Sequence, residues 1–399
     1  MGKRGRDATC CSSHAGEEAR RPARKKHLYL AVDDWEKGYS IHKVDVDTFH
    51  HDDDETDDVG APWSRPVAER LREPPVLRLQ ASRGSHGAIF GAIGGKILTL
   101  WQPRHRPTRT VVYDTETAGV VADGPVHPAD LHPIESVAAA GGTLYALHSG
   151  GLHYLAEAPA PANGPAEVYG RPEEDAEWVW RRACSSPLSL PFVSGDGEPA
   201  PSAGFPVQIT AYAAHPDGRF FVSAHGPFFS NKYTGTFSFD TGRRHGGGEW
   251  TRHGDWLLPF IGEGHYDRRL DAWVGFHSAL HVCACGVPPA GSGETPAPEW
   301  ELVKAHQLFR TNPYNVDRFT YMKLVGMGDA KFCIVESLTT EGGELSPYMA
   351  EHMDEYVLRL AKFRVKRCRH GQLHASSRRA AFYRLHKSDL ISAPQAFWI

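Results

Sequence analysis

The chain has 399 residues, of which 41% are hydrophobic, 23% charged and 11% aromatic; this globular composition excludes a chain disordered throughout, and the length suits one large domain or two to three smaller ones. A net charge of −4, from 44 basic and 48 acidic residues, gives no whole-chain argument for nucleic acid or a membrane surface. No apolar run approaches the roughly 20 residues that a bilayer-spanning helix needs.

The first 26 residues are polar and basic. Lys3, Arg4, Arg6, Arg20, Arg21, Arg24, Lys25 and Lys26 stand against Asp7, Glu17 and Glu18. They lack the apolar core of a secretory signal. Arg6 occupies the place where a myristoylation pattern has Ser or Thr. The run Arg20-Arg21-Pro22-Ala23-Arg24-Lys25-Lys26 resembles a basic nuclear-import signal, with a solvated tail as the alternative. Seven cysteines, an odd number sparsely spaced, do not form a disulfide framework. Cys283 and Cys285 share one face of a strand as small residues. The expected location is intracellular, in the nucleus or cytoplasm.

From residue 27 onward, apolar runs of four to eight residues alternate with turns rich in Gly, Pro, Asp and His, which predicts strands. Residues 345–361 come nearest to a helical stripe, and Pro347 interrupts them. The domain opens with Leu28–Val32, a turn, and Tyr39–Asp45. An acidic loop follows, His50-His51-Asp52-Asp53-Asp54-Glu55-Thr56-Asp57-Asp58. Five hairpins then repeat one logic, a small apolar first strand, a tight turn and a stronger second strand. They are 88–93 with 96–101, 137–140 with 143–147, 209–213 with 219–223, 264–266 with 272–276, and 324–327 with 331–335. A third strand follows each: 110–114, 151–155, 236–240, 280–284 and 356–360.

A fourth element recurs as Glu-Trp at 177–178, 249–250 and 299–300. Two exits match, Leu190-Pro191-Phe192 and Leu258-Pro259-Phe260. Trp63 stands in for the element in the first unit, and residues 116–127 carry no Trp.

Four strands repeated six times predict a single all-β, six-bladed β-propeller over 27–399, with residues 1–26 a disordered basic tail. Seven blades, or an unrelated β-sandwich, are the alternatives. About 62 residues per unit exceeds the ~50 of a kelch blade. The excess falls in 50–58, 156–167, 193–205, 287–298 and 338–354. The first unit begins with its second strand. A C-terminal strand, from 379–385 or 394–399, is therefore expected to join it and close the ring, because open edges are avoided.

The segment Gly235-Thr236-Phe237-Ser238-Phe239-Asp240, Glu249-Trp250-Thr251, Gly254-Asp255-Trp256-Leu257-Leu258-Pro259-Phe260, Gly264-His265-Tyr266 and Leu270-Asp271-Ala272-Trp273-Val274-Gly275 resembles a plant group abundant in grasses. These are kelch-like, galactose-oxidase-type propeller proteins, related to the propeller halves of F-box/kelch proteins. The similarity covers roughly 27–390 and implies a fold, with no activity to carry over. The 26 residues before the propeller are too few for the three-helix F-box, so the resemblance implies at most a recognition half.

No catalytic, cofactor or metal site can be assigned from the residues. The histidines scatter over His86, His215, His225, His245, His253, His265, His277 and His281, and none aligns to a copper site of galactose-oxidase type. His277-x-x-x-His281 lies in a hairpin. Gly246-Gly247-Gly248 lacks the Lys-Ser/Thr of a phosphate-binding loop, and Gly91-x-x-Gly94-Gly95 is a hairpin turn. Ser185-Ser186 and Ser202 lie outside any nucleophile elbow. Nothing locates Glu173-Glu174 in a cleft. The basic run Lys362–His370 reads as a solvated outer strand that discourages edge pairing, not as a nucleic-acid surface. The expectation is a non-catalytic, monomeric module that binds a protein partner through loops on one face and no membrane. The alternative is an enzyme acting on carbohydrate in the central channel.

Overall fold

The computed structural model describes residues 25–34, 38–51, 68–80, 87–101, 108–122, 124–128, 131, 134–148, 151–156, 178–185, 208–226, 234–243, 250–279, 281–289, 293–304, 308, 319–339, 355–386 and 394–399. These residues are all-β. No α-helix occurs among them, and the 3-10 turns 46–48 and 241–243 are short.

The strands group into six units, each built on four antiparallel strands; the sheet of unit VI is widened by His50–His51, antiparallel, and Glu69–Arg70, parallel, both against its fourth strand. Unit I orders Gln395–Trp398, Leu28–Asp34, Gly38–Val44 and Leu77–Leu79. Unit II runs Ala88–Ile93, Lys96–Trp101, Val111–Asp114 and Val120–Val121. Unit III runs Ser136–Ala140, Thr143–His148, Gly151–Ala156 and Val179–Ser185. Unit IV runs Gln208–Ala214, Arg219–His225, Gly235–Asp240 and Trp250–Gly254. Unit V runs Ile261–Asp267, Ala272–His277, His281–Gly286 and Trp300–Leu302. Unit VI runs Phe319–Gly328, Lys331–Thr339, Glu355–Arg367 and Leu373–His386. Units IV and V share one sheet, because their first strands pair in parallel from Ala211↔Gly262 to Ala213↔Gly264.

Position within a unit explains composition. Second strands are covered on both faces, so they are continuously apolar: Ile97, Leu98, Thr99 and Leu100 are all buried, as is every residue from Thr143 to His148. The fourth strands of units I, II and V are short and wet, and Val121 is 57% exposed, whereas those of units III and VI are longer and partly buried. First strands carry Ala and Gly where a neighbour comes close. A Cβ on Gly91 would lie 2.8 Å from Val137 Cγ1, and one on Gly326 3.0 Å from His265 Cβ.

Six apolar clusters join successive units. Tyr29 and Ile41 of unit I meet Phe90 and Tyr113 of unit II. Leu98 and Leu100 meet Leu144 and Trp180. Tyr145 and Tyr154 meet Phe220 and Phe239. Phe221 of unit IV meets Trp273, Cys283 and Cys285 of unit V. Val274 and Phe276 meet Phe332 and Phe363 of unit VI. Val335, Leu358 and Leu360 of unit VI then meet Leu28, Leu30 and Val32 of unit I, which returns the order to its start.

The C-terminal strand joins unit I at Leu28↔Trp398 through Ala31↔Gln395. Of the two segments expected there, 394–399 takes the place. Residues 379–385 instead belong to the fourth strand of unit VI, held opposite Glu355–Lys362 by the long hairpin. The basic run also departs from expectation. Glu355–Arg367 is a third strand, hydrogen-bonded on both sides, so its charges guard no edge. The Glu-Trp elements open or immediately precede fourth strands in units III, IV and V. Trp63 lies outside the described residues.

Candidate functional site

The first strands of units III to VI line a cavity of about 240 Å³. Half of its lining is small, Ala138, Ala139, Ala214, Gly264, Gly326 and Gly328, and the other half is Tyr212, Glu263, His265, Tyr266, Asp267 and Phe332. Glu263 and Asp267 are its charged lining residues, and Lys323 lies next to Glu263 outside the lining. Glu263 sits on the first strand of unit V, and Lys323 beside it on that of unit VI. The Glu263 carboxylate lies between two cationic or titratable groups, His265 Nδ1 at 3.8 Å and Lys323 Nζ at 3.9 Å. All three side chains are one-third exposed or less.

His265 Nε2 faces the Leu324 carbonyl at 2.9 Å, so this nitrogen carries the proton and donates. Nδ1 is left to face Glu263. The Lys323 ammonium also lies 5.1 Å over the Phe397 ring, on the C-terminal strand of unit I. A line of side chains thus runs across units V, VI and I. Tyr212 stands opposite Glu263 in the parallel register.

The rim is fixed by turns. Asp267 accepts from the amides of Arg269 and Leu270 through one oxygen, and from Ala330 N at 2.7 Å through the other. That carboxylate pins the tight turns of units V and VI together, and Arg269–Asp329 adds an ion pair at 3.2 Å. The Tyr266 hydroxyl donates to Asp271 Oδ1 at 2.9 Å; this bond holds its proton and raises its pKa above the ordinary 10.0. A carboxylate with an imidazole and an ammonium each within 4 Å of it can bind a small polar molecule through charge-assisted hydrogen bonds.

The residues weighed from sequence mostly do not converge here. His265 alone enters the site. His277 and His281 face each other across a hairpin, with His277 stacked on Trp300 at 5.0 Å. His253 is fully buried, its Nε2 2.7 Å from Ser238 Oγ, and burial pushes its pKa below 6.5. His215 is held by Asp217 and the Pro288 carbonyl. His86, His245, Glu173, Glu174, Ser186, Ser202, Gly246, Gly247 and Gly248 lie outside the described residues. Among the described residues no group of three or more His, Cys, Asp or Glu is placed to hold a metal. Cys283 and Cys285 share one apolar cluster, and burial raises each thiol to about 12. Glu263 and Lys323 were missed; the available signal was a charge on a strand type otherwise built from Ala, Gly and aliphatics.

The class this defines is an all-β protein of repeated four-stranded units with a small polar site on its first strands. The chain belongs to the family described as protein of unknown function, DUF1668, which matches residues 25–383. No curated protein matches it. Two solved structures are similar in outline. One, from Bacteroides fragilis, is titled a "putative 6-phosphogluconolactonase"; it has a TM-score of 0.40 at 10% identity, covering 90% of this chain and 83% of that one. The other is a complex of KlAtg21 with the coiled coil of AgAtg16; it has a TM-score of 0.40 at 9% identity, covering 89% and 96%. Neither likeness carries an argument. No helix among the described residues is long and apolar enough to cross a membrane.

Proposed function

We propose that the six units form a kelch-like, six-bladed β-propeller closed by the C-terminal strand, and that this ring is a non-catalytic module binding a protein partner through loops on one face. The cyclic order of the six apolar clusters supports the ring.

The observation that carries the binding reading is that long connections leave a frame of regular paired strands; which face they serve is part of the proposal. In a four-stranded meander, the first-to-second and third-to-fourth turns share one end. The second-to-third turns and the exits to the next unit share the other. First-to-second turns are tight, as at Gly94-Gly95, Gly141-Gly142 and Asp329-Ala330. Third-to-fourth connections at that same end are long in units I, III and V, at 45–76, 157–178 and 287–299, and the opposite end receives 186–207, 226–234, 303–318, 340–354 and 387–394. Long loops on a rigid frame are where recognition concentrates. The resemblance to F-box/kelch propellers agrees with a substrate-recognition subunit, monomeric and located in the nucleus or cytoplasm.

The test is affinity purification from plant cells of tagged full-length protein, a form beginning at residue 27, and a form with 340–354 replaced by a short Gly-Ser linker. One stoichiometric partner retained by the first two and lost from the third is expected. A partner retained by all three contradicts the loop-face reading.

The second reading is a carbohydrate-active site in the cavity, favoured by the Glu263–His265–Lys323 cluster. A saccharide screen by calorimetry, with Glu263→Gln as control, tests it. A heat of binding absent from the variant supports it; no heat from any sugar removes it.

A further inference from the structure

The two oxygens of the Glu263 carboxylate face different neighbours. Oε2 turns to Lys323 Nζ at 3.9 Å, and Oε1 to His265 Nδ1 at 3.8 Å. Both separations exceed a hydrogen bond, so neither neighbour uses up Oε1. His265 Nε2 donates to the Leu324 carbonyl, which leaves Nδ1 of the neutral ring an acceptor. Oε1 and Nδ1 are therefore two acceptors side by side at the cavity wall. A ligand that donates two hydrogen bonds from neighbouring atoms fits this pair. Two hydroxyls on adjacent carbons do so, each at an ordinary length of about 2.8 Å.

The surrounding charges select a neutral ligand. Lys323 offsets Glu263, and its ammonium is held 5.1 Å over the Phe397 ring. A cation seated on Oε1 would meet Lys323 across one carboxylate, and an anion would meet Glu263 itself. Shape narrows the class further. Tyr212 and Glu263 are partners in the parallel register, so their side chains leave the sheet on one face. The Tyr212 and Tyr266 rings both line the cavity and offer flat surfaces to the C–H faces of a sugar ring. A volume of about 240 Å³ falls below the roughly 300–1,000 Å³ of pockets for drug-sized molecules, which limits the occupant to about one such ring.

Cleavage of a glycosidic bond takes two carboxyl groups roughly 5–9.5 Å apart, one acid and one nucleophile or base. The second carboxylate in the described lining is Asp267, and it is committed to the turns. It is 3% exposed and accepts from the amides of Arg269 and Leu270 through Oδ1 and from that of Ala330 through Oδ2. The described lining is equipped to hold a sugar through Glu263 and supplies no second carboxylate to cut it.

We propose that the cavity captures one neutral monosaccharide or cyclic polyol through a vicinal diol, which donates to Glu263 Oε1 and His265 Nδ1, and does not cleave it. This rests on the second reading above, that the cavity takes carbohydrate, and narrows that reading from an enzyme to a receptor. Lys323 is a positioning residue: it draws Oε2 aside and excludes cationic ligands.

The test is a ligand-observed NMR titration of the full chain with glucose, galactose and mannose, each beside its 6-amino and 6-phosphate forms, and with myo-inositol. The charged forms keep the ring diols and change only the charge. Millimolar binding of at least one neutral probe is expected, at least fivefold tighter than its charged forms. Glu263→Gln should weaken it at least tenfold. Ala139→Leu should abolish it, because Ala139 is an exposed lining residue and the larger side chain fills the cavity with every polar group in place. Lys323→Met should narrow the gap between the neutral and 6-amino forms, a change in selectivity that a merely structural role would not produce. Val121→Thr, on the outer strand of unit II, should have no effect. Tighter binding of a charged form, or Glu263-dependent release of nitrophenol from nitrophenyl glycosides, overturns the proposal and leaves the second reading standing. No binding of any probe at about 50 mM, or binding that neither Glu263→Gln nor Ala139→Leu weakens, removes both.

Discussion

Gln395 Oε1 accepts a hydrogen bond from Phe90 N at 2.9 Å, joining the C-terminal strand of unit I to the first strand of unit II. The two residues are 305 positions apart, and the contact fixes where the last strand sits. Replacing Gln395 with Ala leaves a part-buried amide without this acceptor. The expected cost is about 1–3 kcal/mol, measured as the shift in urea midpoint. A midpoint unchanged from the parent contradicts the contact.

Glu336 and Arg359 form an ion pair at 2.9 Å with 0% and 1% side-chain exposure, and Arg359 Nη1 also donates to the Leu308 carbonyl. Removing one partner strands a buried charge. Glu336→Ala should lose about 3–5 kcal/mol, whereas Glu336→Leu with Arg359→Met should recover most of it. Equilibrium unfolding of both variants checks the asymmetry.

Phe260 lies between two glycines. A Cβ on Gly264 would come 2.3 Å from Phe260 Cζ, and one on Gly275 2.6 Å from Phe260 Cγ. Gly275→Ala should destabilise by about 1–3 kcal/mol through overpacking. Phe260→Leu should relieve part of that loss in the double variant, as a double-mutant cycle would show.

These cases indicate what the sequence exposes. The exit Leu258-Pro259-Phe260 and the later Gly264 and Gly275 all stand within repeated segments of the chain; the fit of both glycines against the Phe260 side chain requires coordinates. Strand order was legible because second strands buried on both faces read as unbroken apolar runs, and the Glu-Trp elements mark fourth strands. The closing strand was narrowed to two segments, since both carry aromatic residues and pattern alone does not say which reaches Leu28. The role of Lys362–Lys366 was misread because edge and interior strands look alike when both alternate. Glu263 and Lys323 escaped notice because their proximity depends on two neighbouring units, 60 residues apart in sequence.

Histidine burial sets a pH dependence. His253 and His42 both have pKa values below the ordinary 6.5, mainly from desolvation. The unfolded chain therefore binds more protons than the folded one below about pH 6.5, and stability falls as pH drops from there through the folded values. Above that range these two groups contribute no slope. Urea midpoints at pH 7.5, 6.5 and 5.5 should decline in that order, and His253→Gln should reduce the decline.

Thiol reactivity follows burial. Cys184, Cys283, Cys285 and Cys333 have thiols raised to about 12 by desolvation. In the native protein these four should resist a thiolate-selective disulfide reagent at pH 8 and react only in denaturant. Mass spectrometry of labelled peptides reads each site separately.

Ring closure by residues 394–399 is the central structural claim, and hydrogen exchange on a form ending at residue 393 tests it most directly. The closing strand pairs with Leu28–Ala31, and His27 and Ile399 exchange both backbone hydrogen bonds. Its loss should strip protection from 28–34 and, across the Gln395–Phe90 contact, from 88–93, while 143–156 stays protected. Exchange identical to the full-length protein at 28–34 and 88–93 contradicts closure.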